Sequence, residues 1–200
     1  MSHIYCHKNG IGLRKVERSD LPILKELKDE SWYGTRTTAI VNMDDQERWF
    51  DSWTNTNSSL YLIADQLPPT SPPNPIGLYR LLRIDWVSRC YESGHDVFKH
   101  ARGRRLSNPV LEAGVDFGFE MFNMHRIETE YMPGNISRKA AAYAGFIPEG
   151  IRRKAIYKNG IYYDSEFAGL LREEWLELPR VKAYEGVCNT SVILPVEKIQ

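Results

Sequence analysis

Cysteine is scarce in this chain. Cys6, Cys90 and Cys188 are odd in number and far apart, which fits neither a disulfide framework nor the ligand spacing of a zinc site. Net charge is absent as well. Lys and Arg number 26 and so do Asp and Glu, so the molecule has no overall field to gather nucleic acid or an anionic membrane. No apolar run reaches the length of a bilayer span, and the first residues lack the apolar stretch of a signal peptide. The expectation is a cytoplasmic protein with no metal, no nucleic-acid partner and no membrane partner. His3 and His7 are near enough in sequence to meet on a metal, but surface histidines are the simpler reading. What is present is ordinary for a globular chain of 200 residues: 42% are hydrophobic and 12% aromatic. That suffices for the core of one domain, with room for an appendage.

Taken in order, residues 1–10 read as a loose leader and Ile11–Val16 as a short strand. Ser19 or Asp20 caps a helix that carries Pro22 in its first turn and buries Leu24 and Leu27. Residues 32–42 show no period and read as loop. Asp44 caps a second helix to about Trp53, with Trp49, Phe50 and Trp53 on one face. Aromatics so spaced belong to a core more often than to a substrate platform. Residues 59–64, 76–82 and 89–97 read as strands, and the proline-rich stretch 67–75 is a surface connection that can hold neither helix nor central strand. His125–Tyr131 alternates Ile127, Thr129 and Tyr131 with Glu128 and Glu130, the pattern of another strand. An alanine-rich helix from about Ser137 to Ala144 stops at Gly145, and a last hairpin turns at Asn159-Gly160. Residues 176–200 fit this domain less well, and Pro195 confines any strand over 192–196 to a sheet edge.

The chain is organised around residues 92–119, which read as a strand, a basic glycine-containing turn and a helix. Ser107 serves as N-cap, Pro109 is tolerated in the first turn, and Val110, Leu111, Val115, Phe119 and Phe122 recur as one buried stripe. A turn feeding a helix N-terminus aims unpaired N–H groups and the positive dipole end at whatever lies in front, a common setting for phosphate. Lys99, Arg102, Arg104 and Arg105 add formal charge there. The same run equally fits a solvated basic loop. A grip on nucleic-acid phosphates is opposed by the zero net charge and by the lack of interleaved aromatics.

Those residues also carry a resemblance. Glu92, Gly94, Gly103, Phe119, His125, Arg126, Glu128, Glu130, Asn135, Gly145 and Phe146 fall on a pattern of Glu-x-Gly, Gly-x-Gly, a helix ending in Phe, His-Arg-aliphatic-Glu, Asn and Gly-Phe. In this the chain resembles, over about residues 11–175, the GNAT superfamily of acyl-CoA-dependent N-acetyltransferases, in the branch of ribosomal-protein N-terminal and amino-sugar acetyltransferases. The resemblance implies an α+β fold: a GNAT-type mixed central sheet of about seven strands flanked by about four helices. Residues 11–175 would form the acetyltransferase domain and residues 176–200 a C-terminal extension, as edge strand or dimer contact. It implies acetyl-CoA (coenzyme A) as co-substrate and direct transfer of acetyl to a primary amine in a ternary complex. The acceptor would be a small molecule or peptide: a protein N-terminus, an amino sugar or a polyamine-like amine. A homodimer is compatible with it. Val97, Phe98, Arg102, Gly103, Arg104, Arg105, Leu106, Asn135 and Ser137 would meet the cofactor, with the oxyanion near Val97.

The chemistry such a reaction needs narrows the catalytic candidates. An amine like that of lysine has a pKa near 10, so roughly one molecule in a thousand is neutral at pH 7, and a base must remove its proton. Glu130 and Glu92 would be the bases, although either also fits a half-exposed strand residue; Asn135 and Ser137 also fit helix capping. Two departures from the family pattern stand out. The pyrophosphate loop, Gln/Arg-x-x-Gly-x-Gly/Ala in the family, is His100-x-x-Gly103-x-Arg105 here, so Arg105 either crowds the phosphates or swings out to pair with them. The stretch from Asn135 to Gly145 is also shorter by one residue, so the family's acid tyrosine falls on Ala142 or Ala141. Tyr143 is the nearest tyrosine and a candidate acid, yet it equally fits a packing role. A catalytically impaired domain that binds acyl-CoA without turnover is therefore the alternative.

Overall fold

The computed structural model describes residues 4–8, 10–31, 40–53, 56–67, 74–132 and 134–185. Its strands are β1 Ile4–Lys8, β2 Ile11–Lys15, β3 Leu60–Gln66, β4 Pro75–Asp85, β5 Cys90–Val97, β6 Arg126–Tyr131, β7 Ile147–Lys158 and β8 Ile161–Leu171. The helices are α1 Leu21–Ser31, α2 Met43–Trp53, α3 Ser107–Met121, α4 Ser137–Ala144, α5 Arg172–Glu177 and α6 Pro179–Glu185. One mixed sheet runs β1-β2-β3-β4-β5-β6-β8-β7. Every neighbouring pair is antiparallel except β5 and β6. That parallel pair requires a crossover, and α3 supplies it.

Alternation along the strands sorts the side chains onto two faces. Leu62, Tyr79, Leu81, Tyr91 and Ile127 point to the face that Val110, Leu111, Val115 and Phe119 of α3 cover. Ile63, Leu78 and the buried Phe98 point to the other, where Leu21, Leu24 and Leu27 of α1 and Trp53 of α2 close over them. Helix α3 lies close against the sheet because it carries glycine where it crosses two tyrosines. A Cβ on Gly114 would stand 2.2 Å from the Tyr79 ring, and one on Gly118 2.3 Å from the Tyr91 hydroxyl. The two phenols satisfy each other at 2.8 Å beneath the helix. On the opposite face Arg14 is buried with two carboxylates, donating to Asp20 at 2.7 and 2.8 Å and to Asp65 at 2.7 Å.

The structure corrects several local expectations. Residues 4–8, expected as part of a loose leader, form β1 and pair with β2, so the described sheet has eight strands against the expected seven or so. After β8 the chain continues into α5 and α6, with Val181 buried in the main core, so the described residues hold six helices where about four were expected, within the same α+β architecture. Asp20 does not cap α1; its carboxylate is spent on Arg14 and on the N–H of Glu17. Helix α2 is capped by Asn42 instead of Asp44, in a reciprocal pair: Asp45 N–H donates to the Asn42 side chain and Asn42 N–H to the Asp45 carboxylate. Ser107 is the first residue of α3 rather than its N-cap, which is Leu106. The stretches 32–39, 68–73 and 192–196, together with the side chain of His7, lie outside the described residues.

Candidate active site

The parallel ladder between β5 and β6 is short. It joins Cys90 to Arg126, Tyr91 to Ile127 and Glu92 to Glu128, then stops. Each strand nonetheless continues against its other neighbour, β5 on β4 as far as Val97 and β6 on β8 as far as Tyr131. The sheet is therefore split from Ser93 and Thr129 onward, leaving two facing edges whose main-chain groups have no ladder partner across the gap. A cleft of about 860 Å³ fills the split, within the size range of a cofactor site. Phe98 N–H bonds the carbonyl of Ile76 at 2.9 Å. Successive N–H groups alternate sides along a strand, so that of Val97 faces the opened side.

At one end of the cleft lies the basic turn. The chain leaves β5 through a 3-10 turn, Lys99–Ala101, and enters α3 through Gly103 and Arg105, both in left-handed backbone conformation with φ of 78° and 58°. Among the described residues, no backbone carbonyl accepts the N–H groups of Gly103, Arg104, Arg105 or Leu106. Left-handed residues in such a run turn successive N–H groups to one side, forming an anion-binding concavity. The left-handed φ costs an arginine about 1–2 kcal/mol relative to a glycine, so the departure at Arg105 carries a local strain. Its side chain lines the cleft and has no acidic partner among the described residues. Glu30 at the end of α1 bridges two other cations of the turn, Lys99 at 2.8 Å and Arg102 at 3.1 Å, and these two hold its carboxyl below the usual range.

At the other end stand the acids. Glu92 and Glu130 have side chains 10% and 6% exposed. Arg83 pairs with Glu92. Arg152 Nη1 reaches Glu130 at 3.0 Å, and the Ser165 hydroxyl donates to the other oxygen of the same carboxylate. Both acids line the main cleft and also a polar cavity of about 130 Å³ behind it, shared with Glu128, Glu149, Arg126 and Arg152. The two carboxylates thus stand between two compartments.

Of the residues that the sequence nominated, Glu92, Val97, Arg102, Gly103, Arg105, Leu106, Glu130, Asn135 and Ser137 line the cleft together. Three are placed elsewhere. Phe98 is buried under α1 and α2, Arg104 donates to the Gln66 side chain at 2.6 Å, and Tyr143 is 64% exposed on the outer side of α4. Asn135 accepts from Ser137 N–H at 2.9 Å, one residue ahead of the α4 N-cap Ile136, and also lines the cleft. Beyond Ser137, the α4 position that lines the cleft is Ala141, and Tyr131 lines it too, its pKa pushed up by burial and by Glu166.

The sequence reading missed His95, Glu30, Arg83 and Arg152. His95 accompanies Tyr91 and Ser93 on alternate positions of β5, and that alternation was the available signal. Its Nε2 meets Ser107 Oγ at 2.9 Å, tying β5 to the first turn of α3, and burial pushes its pKa down to about 4. Glu30 reaches the cleft, and Arg83 and Arg152 the polar cavity, from distant elements, and no local pattern marks them. Among the described residues, no group of His, Cys, Asp and Glu could hold a metal ion, and no helix is long and apolar enough to cross a membrane.

The chain is 29% identical over 100 residues to the putative ribosomal N-acetyltransferase YdaF of Bacillus subtilis, covering 50% of this chain and 55% of that protein. It is 21% identical over 173 residues to the spermidine N(1)-acetyltransferase of Vibrio cholerae, covering 82% and 94%. It thus spans about half the length of the first relative and nearly all of the second. The fold matches the crystal structure of spermidine N-acetyltransferase from Vibrio cholerae in complex with CoA and spermine, with a TM-score of 0.79 at 20% identity over 85% of this chain and 100% of that one. Residues 11–147 match the acetyltransferase (GNAT) domain, and the chain belongs to that family.

Proposed function

We propose that this acetyltransferase seats acetyl-CoA along the split between β5 and β6 and passes the acetyl group to a cationic primary amine arriving through the polar cavity. The single observation that carries the reading is that Glu92 and Glu130 line both compartments. A base at that junction can take the ammonium proton on one side while the amine faces the thioester on the other.

The fit to the cofactor rests on this chain's own groups. The unpartnered N–H groups of the turn, with Lys99, Arg102 and Arg105, suit phosphates. The facing strand edges suit an extended chain with amide groups, as an added strand would. When bound, the cofactor supplies a thioester carbonyl as the acyl donor. Val97 N–H, on the opened side, is placed for an oxyanion. Glu130, or Glu92 beside it, removes a proton from the acceptor ammonium, worth about 10² to 10⁴ in rate. Tyr131, a phenol that lines the cleft beside α4 and is protonated at neutral pH, gives its proton to the leaving thiolate. Four carboxylates face three arginines in the cavity, which suits a cationic amine, and a polyamine acceptor follows the spermidine-acetylating relative. Direct attack in one ternary complex requires no acyl-enzyme intermediate.

Thiol release from acetyl-CoA, measured with polyamines, amino sugars and peptides bearing free N-termini, tests this directly. Acetylated polyamine formed in step with free thiol is the expected result. Binding of CoA without thiol release from any of these amines would instead identify an acyl-CoA-binding module.

A further inference from the structure

Three lysines pair with carboxylates, Lys25 with Asp29, Lys99 with Glu30 and Lys182 with Glu177, and Lys15, Lys139 and Lys154 are exposed. Lys28 differs from both groups. It is half-buried and lines the cofactor cleft alongside Leu24, Leu27 and Ser31 of the same helix face. Among the described residues, no carboxylate is within ion-pair distance of it. Facing it from the sheet are Arg80 of β4 and Asp96 of β5, joined to each other at 2.6 Å. Asp96 immediately precedes Val97, whose N–H faces the split. Glu30, two residues along α1, is turned to the basic turn.

Burial and the positive charge of Arg80 push the Lys28 pKa below the usual lysine range, with Asp96 acting in the opposite sense. Each unit of such lowering raises the neutral fraction at pH 7 about tenfold. A desolvated lysine beside another cation is a recognised form of activated amine nucleophile.

From the position of this amine inside the cleft we infer that Lys28 is a self-acetylation site, taking its acetyl group from the acetyl-CoA bound there. The inference rests on the cofactor placement proposed above. Lys28 Nζ, having released one proton to solvent, attacks the thioester carbonyl carbon. A C–N bond forms as the C–S bond breaks, and the second nitrogen proton ends on the departing sulfur, giving an amide and free coenzyme A. The product is neutral, so a cation that opposes both Arg80 and an incoming cationic acceptor is lost from the cleft wall.

The test is incubation of the full chain with acetyl-CoA and no acceptor, followed by intact mass and peptide mapping. The expected result is one acetyl group per chain, located at Lys28, lost in Lys28→Arg and suppressed to background by excess CoA. Acetylation of Lys28 that excess CoA leaves unchanged would be chemical modification from solution and would overturn the inference. So would an unmodified Lys28 in protein that binds CoA and releases thiol with an amine acceptor; in that case the proposed function stands without it. Failure to bind CoA at all would remove both readings.

Discussion

The two ends of the cleft are built from the same kinds of side chain with their roles exchanged. At the turn, one carboxylate, Glu30, holds two cations whose positions suit a phosphate. At the junction with the polar cavity, two buried carboxylates are each held by a long arginine that is itself mostly exposed, Arg83 at 63% and Arg152 at 59%. In each case a group of the chain occupies the seat that a ligand of like charge would take. The difference lies in burial. Cations at the turn remain solvent-facing and bind by charge, whereas the acids are enclosed, where a proton transfer is felt most strongly. A ligand with an anionic tail and a reactive head is oriented by that contrast alone.

Removing the buried acid is expected to have the largest effect. Glu130→Gln keeps the shape and a hydrogen bond from Ser165 while abolishing the base, so kcat should fall by about 10² or more with CoA affinity unchanged. Steady-state kinetics beside calorimetric CoA titration would separate the two. Unchanged kcat would move the base to Glu92.

Next in size is a pH effect at His95, midway between the two ends. Its folded pKa of about 4 lies below the ordinary value of 6.5, so the unfolded chain binds a proton that the folded chain refuses. The stability this represents is intact above about pH 6.5, declines as pH falls through the interval and is gone below about pH 4. At most it amounts to about 3 kcal/mol, less to the extent that water reaches the ring from the cleft. Denaturant melts of the protein and of His95→Gln between pH 7 and 4 should converge as pH drops; parallel curves would mean that the histidine titrates normally.

Much of the contrast between the ends was legible in the sequence, and the reason is local. The turn, Gly103 and the α3 stripe lie in one continuous stretch, and Glu130 and Asn135 follow at fixed spacing along β6 and its exit. What stayed hidden is supplied across the sheet. Arg152 reaches Glu130 only because β7 pairs with β8 and β8 with β6, and Glu30 meets Arg102 only because α1 packs over the face that contains Phe98. Capping was misjudged for a related reason. Ser107 and Asp20 have the right chemistry to cap a helix, but His95 and Arg14 compete for the same oxygens, and those partners come from other strands. Residues 4–8 were set aside because five residues are too few to show a period of their own, and it is pairing with β2 that makes them a strand.

At the turn the effects should be smaller and opposite in sign. Arg102→Gln removes one cation from the turn and, if the cofactor phosphates dock there, should weaken CoA binding about tenfold, with a shallower salt dependence. Glu30→Gln makes the sharper test, because it leaves every cation in place and withdraws only the carboxylate that shares them. If Glu30 competes with the cofactor phosphates, its removal should tighten CoA binding by about two- to fivefold at low salt, the modest scale expected of solvent-exposed ion pairs. The gain should fade as salt rises and shrink, without vanishing, when Arg102 is already Gln, since Glu30 would then compete only for Lys99. If Glu30 instead aims Lys99 and Arg102 at the phosphates, CoA binding should weaken, and the turn would then resemble the acidic end in needing its partner to be set in position.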